Sequence, residues 1–281
     1  MKHFQVIQPS NLLLPYIKQY WFLRIDDGKQ SFQRSIPSGC VALVFHKGNN
    51  IFSSLHNGIQ PHSYLSGQSI VYSDIMYSHL DMIIVVFQPI GCKAFFSYPI
   101  NEFTGRNVCV DLLSDIALIE LEQKINETSD NYKCIYLIEE YLLKKLCKTD
   151  FYNYQRMQTI ISTINKGEWD ITTLTQTACL GYKQFKRVFT EYTGLNPKDF
   201  LQITRFKKAF HLIQLNSQIN ISRLAYDCAY YDKSHLIKEF RTFTGYTPKE
   251  LIAVCDIYVE YLSLFNSFFI NGENSLNNKI L

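Results

Sequence analysis

The stretch that decides the fold is residues 221–251, ISRLAYDCAYYDKSHLIKEFRTFTGYTPKEL, because it repeats an earlier pattern in the same chain. The earlier copy is residues 171–200, ITTLTQTACLGYKQFKRVFTEYTGLNPKDF. A spacing of 51 residues separates Phe189 from Phe240, Gly194 from Gly245, and Pro197 from Pro248. Leu174 and Leu224 are 50 residues apart, so the second copy has one extra residue at its turn. Such a duplication predicts a structural unit that occurs twice.

Each copy has the apolar pattern of a short helix, a tight turn and a second helix. In the first copy the second helix has its apolar stripe at Phe185, Val188 and Phe189, and it ends at Gly194, which can adopt a positive φ. Pro197 then begins a long helix that is predicted to join the copies. Its apolar stripe, spaced three or four residues apart, consists of Phe200, Ile203, Phe206, Ala209 and Ile213.

The polar side of each second helix is basic. In the first copy this side carries Tyr182, Lys183, Gln184, Lys186 and Arg187, and in the second copy it carries Lys233, Ser234, His235, Lys238 and, on the flank, Arg241. Gln and Arg can hydrogen-bond base edges in the major groove, whereas Lys and Ser can hold phosphates. We predict that these residues bind DNA. A helical repeat with solvated basic faces is the alternative, but it does not explain why both basic faces start directly after a tight turn.

The charge of the chain is concentrated in the same region. The net charge is only +3, yet residues 153–255 contain 14 Lys and Arg against 8 Asp and Glu, whereas the rest contains 14 against 17. A basic C-terminal part joined to a mildly acidic N-terminal part favours a polyanionic partner for the former.

Residues 1–110 have a different pattern. Short β-branched or aromatic segments at 20–25, 41–45, 69–72 and 82–87 are separated by turn residues at 26–28, 37–39, 48–50, 57–58 and 66–67. This spacing predicts an antiparallel sandwich or barrel. Residues 82–87 do not alternate, so we expect this strand to be covered on both faces. Helical spacing follows at 112–121, 135–142 and 157–164, with a linker expected at 147–153.

The C-terminal pattern resembles the DNA-binding domain of the AraC/XylS family of bacterial transcription regulators. The matching stretches are residues 193–213 and 221–251, and the resemblance covers residues 153–251. It implies two helix-turn-helix units joined by a long helix, with recognition helices that enter adjacent major-groove segments. The chain departs from the family at the turn, where Cys179 and Ala229 replace a usual Gly, and at Thr175, which replaces a usual Ala. A Thr hydroxyl there costs stability unless it bonds back to its own helix.

The N-terminal half resembles an uncharacterised sensor-like domain that precedes AraC-type DNA-binding domains. The matching pieces are residues 37–45, 64–68, 86–91 and 100–105, with Gln88 and Ile90 at positions where the domain usually has a basic residue and a Gly. The resemblance implies a small cupin-like β-barrel with flanking helices. We therefore expect an α+β chain in three parts: a sensor or dimerisation domain at 1–148, the DNA-binding domain at 153–251, and an apolar extension with a disordered tail at 252–281.

The chain has no constellation of catalytic residues that the sequence can identify. His46, His56, His62 and His79 contain no His-x-His pair, and Gly-x-Ser-x-Gly is absent. We therefore expect a non-enzyme without cofactor or metal. The aromatic residues Trp21, Tyr64 and Tyr72 are expected in the core rather than around a ligand. The strand residues Arg24, Arg34 and Gln68 are given little weight as ligands of an anion, because an isolated Arg usually lies on a solvated face.

Together these patterns predict a sequence-specific DNA-binding transcription regulator whose operator is double-stranded DNA. The alternative is a small-molecule-binding or enzymatic cupin-like barrel with an accessory helical domain. A small-molecule effector, RNA polymerase and a second copy of the chain are further partners that the sequence leaves open.

No membrane partner is expected, since the start of the chain lacks a signal peptide and no apolar run approaches about 20 residues. Eight scattered cysteines without a Cys-x-x-Cys motif favour a cytoplasmic location.

Overall fold

A computed structural model describes residues 2–146, 151–216 and 218–254 of the 281-residue chain. The expected apolar extension and tail lie outside the described residues from 255 onwards. No helix in the described ranges combines the length and the apolar character needed to cross a bilayer.

The N-terminal half is one antiparallel sheet. Its strands are β1 (Lys2–Ile7), β2 (Ile17–Ser35), β3 (Ala42–His46), β4 (Phe52–Ser53), β5 (Gly58–Ile59), β6 (Ser63–Ser66), β7 (Ser73–Phe87) and β8 (Asn107–Cys109). The strand order is β1-β2-β7-β3-β6-β8, and the short β4 pairs with β5 and with the first part of β7. The long strands β2 and β7 form the spine, and their β-branched and aromatic residues are concentrated where residues 20–25 pair with residues 80–85.

Alternate side chains of this spine enter two different apolar clusters. Trp21 pairs with Ile84 and packs into a cluster on one face, whereas the neighbouring pair Tyr20 and Val85 packs into the cluster on the other face. All six residues of 82–87 are buried, which confirms the prediction that this strand is covered on both sides. The cluster that contains Trp21, here called the first apolar cluster, consists of residues of the sheet half alone. The cluster that contains Tyr20, the second, joins the sheet to the helices.

Two details of the sheet correct the sequence prediction. Residues 69–72 do not form a strand; they belong to the connection between β6 and β7, in which Val71 is exposed and Tyr72 packs on Arg34. Residues 26–28 do not end a strand, because β2 continues through them with a register shift between Asp26 and Ser31. Between these two residues β2 has more residues than the paired segment of β7, as in a β-bulge. Gly28, with φ +63°, therefore lies within a continuous strand.

The helices follow the predicted spacing except at 112–121. There, Leu112 and Leu113 belong to a 3-10 turn that Ser114 ends with a positive φ, and the α-helix begins only at Ile116. The helices are α1 (Ile116–Asn126), α2 (Asn131–Lys145), α3 (Phe151–Asn165), α4 (Ile171–Thr177), α5 (Tyr182–Thr193), α6 (Pro197–Leu215), α7 (Ile221–Asp227), α8 (Lys233–Thr244) and α9 (Pro248–Val254). Short 3-10 turns at Gly91–Ala94 and Ile100–Phe103 lie between β7 and β8, and a third at Val110–Leu113 connects β8 to α1. Because α3 already begins at Phe151, the linker expected at 147–153 is wrong for its last three residues.

The long helix α6 supplies an aromatic partner to each copy of the repeat. Phe200 near its start meets Phe189 of α5 edge-on at 5.4 Å between ring centroids. Phe206, two turns later, meets Phe240 of α8 in the same manner at 4.9 Å. Helix α6 therefore holds α5 and α8 against one continuous core, and the burial of their apolar stripes leaves their polar sides outward.

Candidate nucleic-acid interface

In the first copy, α4 and α5 are joined by a turn with left-handed backbone. The side chain of Asp170 caps α4 by accepting a hydrogen bond from Thr173 N. Cys179 in the turn has φ +51°, and α5 begins two residues after Leu180. The Thr175 hydroxyl donates to Thr172 O at 2.7 Å, so this departure from the family pattern is satisfied within its own helix.

The second copy uses the same local devices. Asn220 caps α7 and Asp232 caps α8, where its carboxylate accepts from His235 N at 2.7 Å. Ala229 in the turn has φ +55°. Both copies therefore require a left-handed residue at the position where the family usually has Gly, and both supply a residue with a Cβ instead.

The polar side of α5 faces outward as the sequence predicts. Tyr182 is 56% exposed, and Lys183, Gln184, Lys186 and Arg187 are exposed as well. The stripe between them, at Phe185, Val188 and Phe189, is buried. The structure thus brings the five predicted residues of the first copy together on one helical face.

The predicted residues of α8 divide into two groups. Lys233, Ser234, Lys238 and Arg241 are exposed, but His235 is only half-exposed. The Nε2 atom of His235 lies 3.2 Å from Glu239 Oε1, and its ring meets Tyr230 edge-on at 5.4 Å. His235 is therefore held against the body of the domain, and its side chain is less exposed than that of Gln184 at the equivalent position of α5.

Glu239 does not add negative charge to the face of α8, because its side chain is only 7% exposed. Its carboxylate accepts a hydrogen bond from Arg205 of α6 at 2.9 Å, and the guanidinium also covers the ring of Tyr230. The sequence places Glu239 near the middle of α8 but does not reveal its partner, since Arg205 is 34 residues away. The equivalent position of the first copy is Val188, which is buried in the core.

Side chains of the sheet half bind the C-terminal end of α5. Gln68 is buried and its Nε2 donates to Thr193 O at 2.8 Å, while the Thr104 hydroxyl donates to Gly194 O. Lys93 pairs with Glu191 at 3.1 Å. The last carbonyl groups of a helix have no partner within the helix, so these donors satisfy them and hold the helix end on the sheet.

Arg34 of β2 does the same for α8. Its Nη1 donates to Thr244 O at 2.9 Å, and its Nε and Nη2 bind the carboxylate of Asp74 at 2.6 and 2.8 Å. The guanidinium lies between the rings of Tyr72 and Tyr246 at 4.2 and 4.9 Å from their centroids. The sequence-based expectation that an isolated strand Arg lies on a solvated face is wrong for Arg34, because its partners come from distant parts of the chain. Only the recurrence of Thr-Gly at the ends of both helices could have suggested a shared contact.

The sheet half encloses a cavity of about 180 Å³ that contacts the first apolar cluster. Trp21 and Tyr64 are buried in this cluster and also line the cavity. Ser53 and His56 lie at its polar side, with 2.9 Å between Ser53 Oγ and His56 Nδ1, and burial lowers the pKa of His56. The sequence placed these aromatics in the core but did not show that they also border an open space.

The histidines of the sheet half are not gathered as metal ligands. His46 is buried and stacks on His62 with 5.8 Å between ring centroids, and burial lowers its pKa to about 4. His79 lies 3.8 Å from Asp26. Within the described residues, no group of three or more His, Cys, Asp or Glu side chains has the proximity that a metal site needs.

Comparison with known families divides the chain at the same place as the geometry. Residues 174–253 match a family described as a helix-turn-helix domain, and residues 5–109 match a domain of unknown function, DUF6597. The C-terminal half of the chain carries a helix-turn-helix domain of the AraC type.

The relatives are named as transcription regulators. An uncharacterized HTH-type transcriptional regulator of Haemophilus influenzae is 23% identical over 177 residues, which cover 62% of this chain and 54% of the relative. The HTH-type transcriptional activator RhaS of Escherichia fergusonii is 31% identical over 72 residues, which cover 26% of each protein. The chain thus spans about half the length of the first relative and about a quarter of the second.

Solved structures match this chain at low identity and with TM-scores below 0.5. ToxT from Vibrio cholerae matches with a TM-score of 0.45 and 9% identity, covering 90% of this chain and 98% of ToxT. A form of ToxT described as bound to an unsaturated fatty acid matches with a TM-score of 0.44 and 10% identity, covering 89% and 94% of the two chains.

Proposed function

We propose that this chain is a transcription regulator that binds specific double-stranded DNA through residues 153–251, with residues 1–148 as a sensor or dimerisation domain. The observation that carries the proposal is the outward basic face on α5 and on α8, each placed directly after a left-handed turn. The two faces belong to helices that share the core along α6. The match of residues 174–253 to a helix-turn-helix family supports the same function.

Within the proposal, the exposed side chains have different tasks. Gln184 and Arg187 of α5 and His235 of α8 would read base edges, because amide, guanidinium and imidazole groups can discriminate bases in the major groove. Lys183, Lys186, Lys233 and Lys238 would neutralise phosphates. Tyr182, Ser234 and Arg241 lie at the margins of the two faces and would fix the position of the helices on the backbone.

The proposal is tested by the binding of the full chain to a pool of randomised duplexes at two salt concentrations, followed by sequencing of the bound fraction. Two short enriched motifs, about one helical turn apart, are the expected result. Salt-sensitive binding without any enriched sequence would contradict specific recognition and leave only a basic helical surface.

A matched pair of variants assigns the binding to the predicted face. Lys186→Gln on α5 is expected to lower the slope of log affinity against log salt by about one unit, because one phosphate contact is lost. Lys133→Gln on the exposed part of α2 removes the same charge elsewhere and should leave the slope unchanged. Equal effects of both changes would show that only the net charge matters.

The remaining partners belong to the proposal as well. A regulator of bacterial genes acts in the cytoplasm, where it meets the chromosome and RNA polymerase. Transcription in vitro from a template with the selected operator tests the polymerase as partner, and sedimentation of the DNA complex tests whether a second copy joins. The cavity beside Trp21 and Tyr64 supports a small-molecule effector in the sheet half.

A further inference from the structure

The turn of the second copy contains one residue that has no counterpart in the first. Two residues lie between Cys179 and the start of α5, whereas three lie between Ala229 and the start of α8. Leu180 and Tyr230, which directly follow the two left-handed residues, pack against the same apolar core. Tyr230 therefore corresponds to Leu180, and Tyr231 is the additional residue.

The two neighbouring tyrosines of this turn have opposite environments. Tyr230 is 6% exposed, its ring meets His235 edge-on, and the guanidinium of Arg205 covers it. Tyr231, the next residue, is 93% exposed. Burial stabilises a side chain in proportion to the area that is removed from water, so packing within the domain does not explain a tyrosine at position 231.

Tyr231 lies at the end of α8 that a helix-turn-helix unit presents to DNA. In such units the N-terminal residues of the recognition helix reach into the major groove. Lys233 and Ser234, which belong to the proposed DNA surface, are exposed and follow directly. The carboxylate of Asp232 accepts from His235 N at 2.7 Å, and the N-terminal end of the helix favours its negative charge. The exposed phenol of Tyr231 thus adjoins the start of the basic face.

Both copies place an exposed tyrosine next to the cap of the recognition helix. Tyr182, which is 56% exposed, directly follows Gly181, the N-cap of α5. Tyr231 directly precedes Asp232, the N-cap of α8. A phenol hydroxyl donates a hydrogen bond to a phosphate oxygen, and such backbone contacts fix the register of a protein on its duplex. Each recognition helix therefore begins beside a neutral phosphate donor.

We propose that Tyr231 is a further DNA-contacting residue, whose hydroxyl donates a hydrogen bond to a phosphate oxygen at the edge of the groove that α8 enters. This contact rests on the proposed DNA binding. It would position α8 on the backbone without reading a base.

Tyr231→Phe removes the hydroxyl and keeps the ring. In titrations of a fixed duplex with the full chain, we expect this variant to bind about tenfold more weakly, because a hydrogen bond to a charged acceptor is lost. The slope of log affinity against log salt should stay that of the unchanged protein, since a neutral donor displaces no counterion. The unchanged slope distinguishes Tyr231→Phe from Lys186→Gln, which lowers it.

Tyr136→Phe is the matched control, because Tyr136 is 68% exposed on α2, outside the proposed DNA surface. Its affinity for the duplex should equal that of the unchanged protein. Tyr231→Ala removes the ring as well and should bind as weakly as Tyr231→Phe, because the hydroxyl makes the contact. All three variants are expected to keep the melting temperature, since both tyrosines lie mostly in solvent.

Two results would overturn the contact: equal affinities of Tyr231→Phe and Tyr136→Phe, or a loss in Tyr231→Ala alone, which would assign the effect to the ring. A phosphate contact does not depend on sequence, so a duplex of arbitrary sequence serves. An effect of Tyr231→Phe without any enriched operator contradicts specific recognition only. An enriched operator without an effect of Tyr231→Phe contradicts the Tyr231 contact only, and absence of duplex binding by the unchanged protein contradicts both.

Discussion

The two copies of the repeat are alike in their local structure and different in their surroundings. In each copy a residue with positive φ forms the turn, a polar side chain caps the first helix, and a Thr-Gly pair ends the second. The Thr hydroxyls even repeat their bonds, since Thr193 donates to Phe189 O at 2.8 Å and Thr244 donates to Phe240 O at 2.7 Å. Short-range sequence therefore fixes the same unit twice.

The surroundings differ at the position where the recognition helix meets the rest of the domain. α5 has Val188 in the core, whereas α8 has Glu239 in a buried network with Arg205 and His235. The carbonyl groups at the end of α5 accept from the neutral donors Gln68 and Thr104, with an ion pair between Lys93 and Glu191 beside them, whereas the carbonyl at the end of α8 accepts from the cation of Arg34. We infer that the first copy is packed mainly by apolar contacts and that the second depends more on charge.

The largest expected effect is from Glu239→Val, which gives α8 the residue found in α5. We expect the free energy of unfolding to fall by about 3 kcal/mol, because Arg205, whose side chain is only 19% exposed, loses its carboxylate partner. The double variant Glu239→Val with Arg205→Met should recover most of the loss in urea denaturation. If the single variant alone is as stable as the unchanged protein, the network does not support the second copy.

The next effect concerns the contacts of the sheet with the helix ends. Arg34→Met should cost about 2 kcal/mol in the same measurement, because charged hydrogen bonds to Asp74 and Thr244 are lost. Gln68→Met, which removes one neutral bond to α5, should cost about 1 kcal/mol.

Arg24→Met is the matched control for Arg34, since Arg24 forms an exposed ion pair with Asp81 at 2.8 Å. We expect a change below about 1 kcal/mol for this variant. The asymmetry between the copies is contradicted if Gln68→Met is more harmful than Arg34→Met.

The equivalent residues Gln184 and His235 offer a test within the proposed DNA surface. Gln184→Ala should change the preferred base in one half of the operator at a cost of about 1–3 kcal/mol and leave the melting temperature unchanged. His235→Ala should alter binding and also lower the melting temperature, because it removes a partner of the buried Glu239. Equal melting temperatures for both variants would show that the contact between His235 and Glu239 contributes no stability.

The smallest effect is expected at the turns. Ala229→Gly and Cys179→Gly should each raise stability by about 0.5–1 kcal/mol, because Gly adopts the left-handed conformation without the strain of a Cβ. Ala225→Gly, within helix α7, should have the opposite sign. A loss of stability at both turns would mean that their side chains contribute contacts that outweigh the backbone strain.

The sequence by itself determined the features that depend on near neighbours. The 51-residue repeat, the apolar stripes of α5 and α6 and the turn position at Cys179 and Ala229 all follow from spacings of a few residues, and so does the burial of residues 82–87. Helical and strand periodicity report which side of an element is buried, so the exposed basic faces could also be predicted.

The tertiary structure alone decided the contacts between distant parts of the chain. Arg34 meets Thr244 across 210 residues, Gln68 meets Thr193 across 125, and Lys207 meets Ser38 across 169. The sequence also could not show that residues 26–28 remain within β2 or that His235 is bound to a buried carboxylate. Periodicity tells which face of an element is covered but not what covers it. The identity of the partner depends on how the sheet and the helices pack, and that packing is set by the whole core at once.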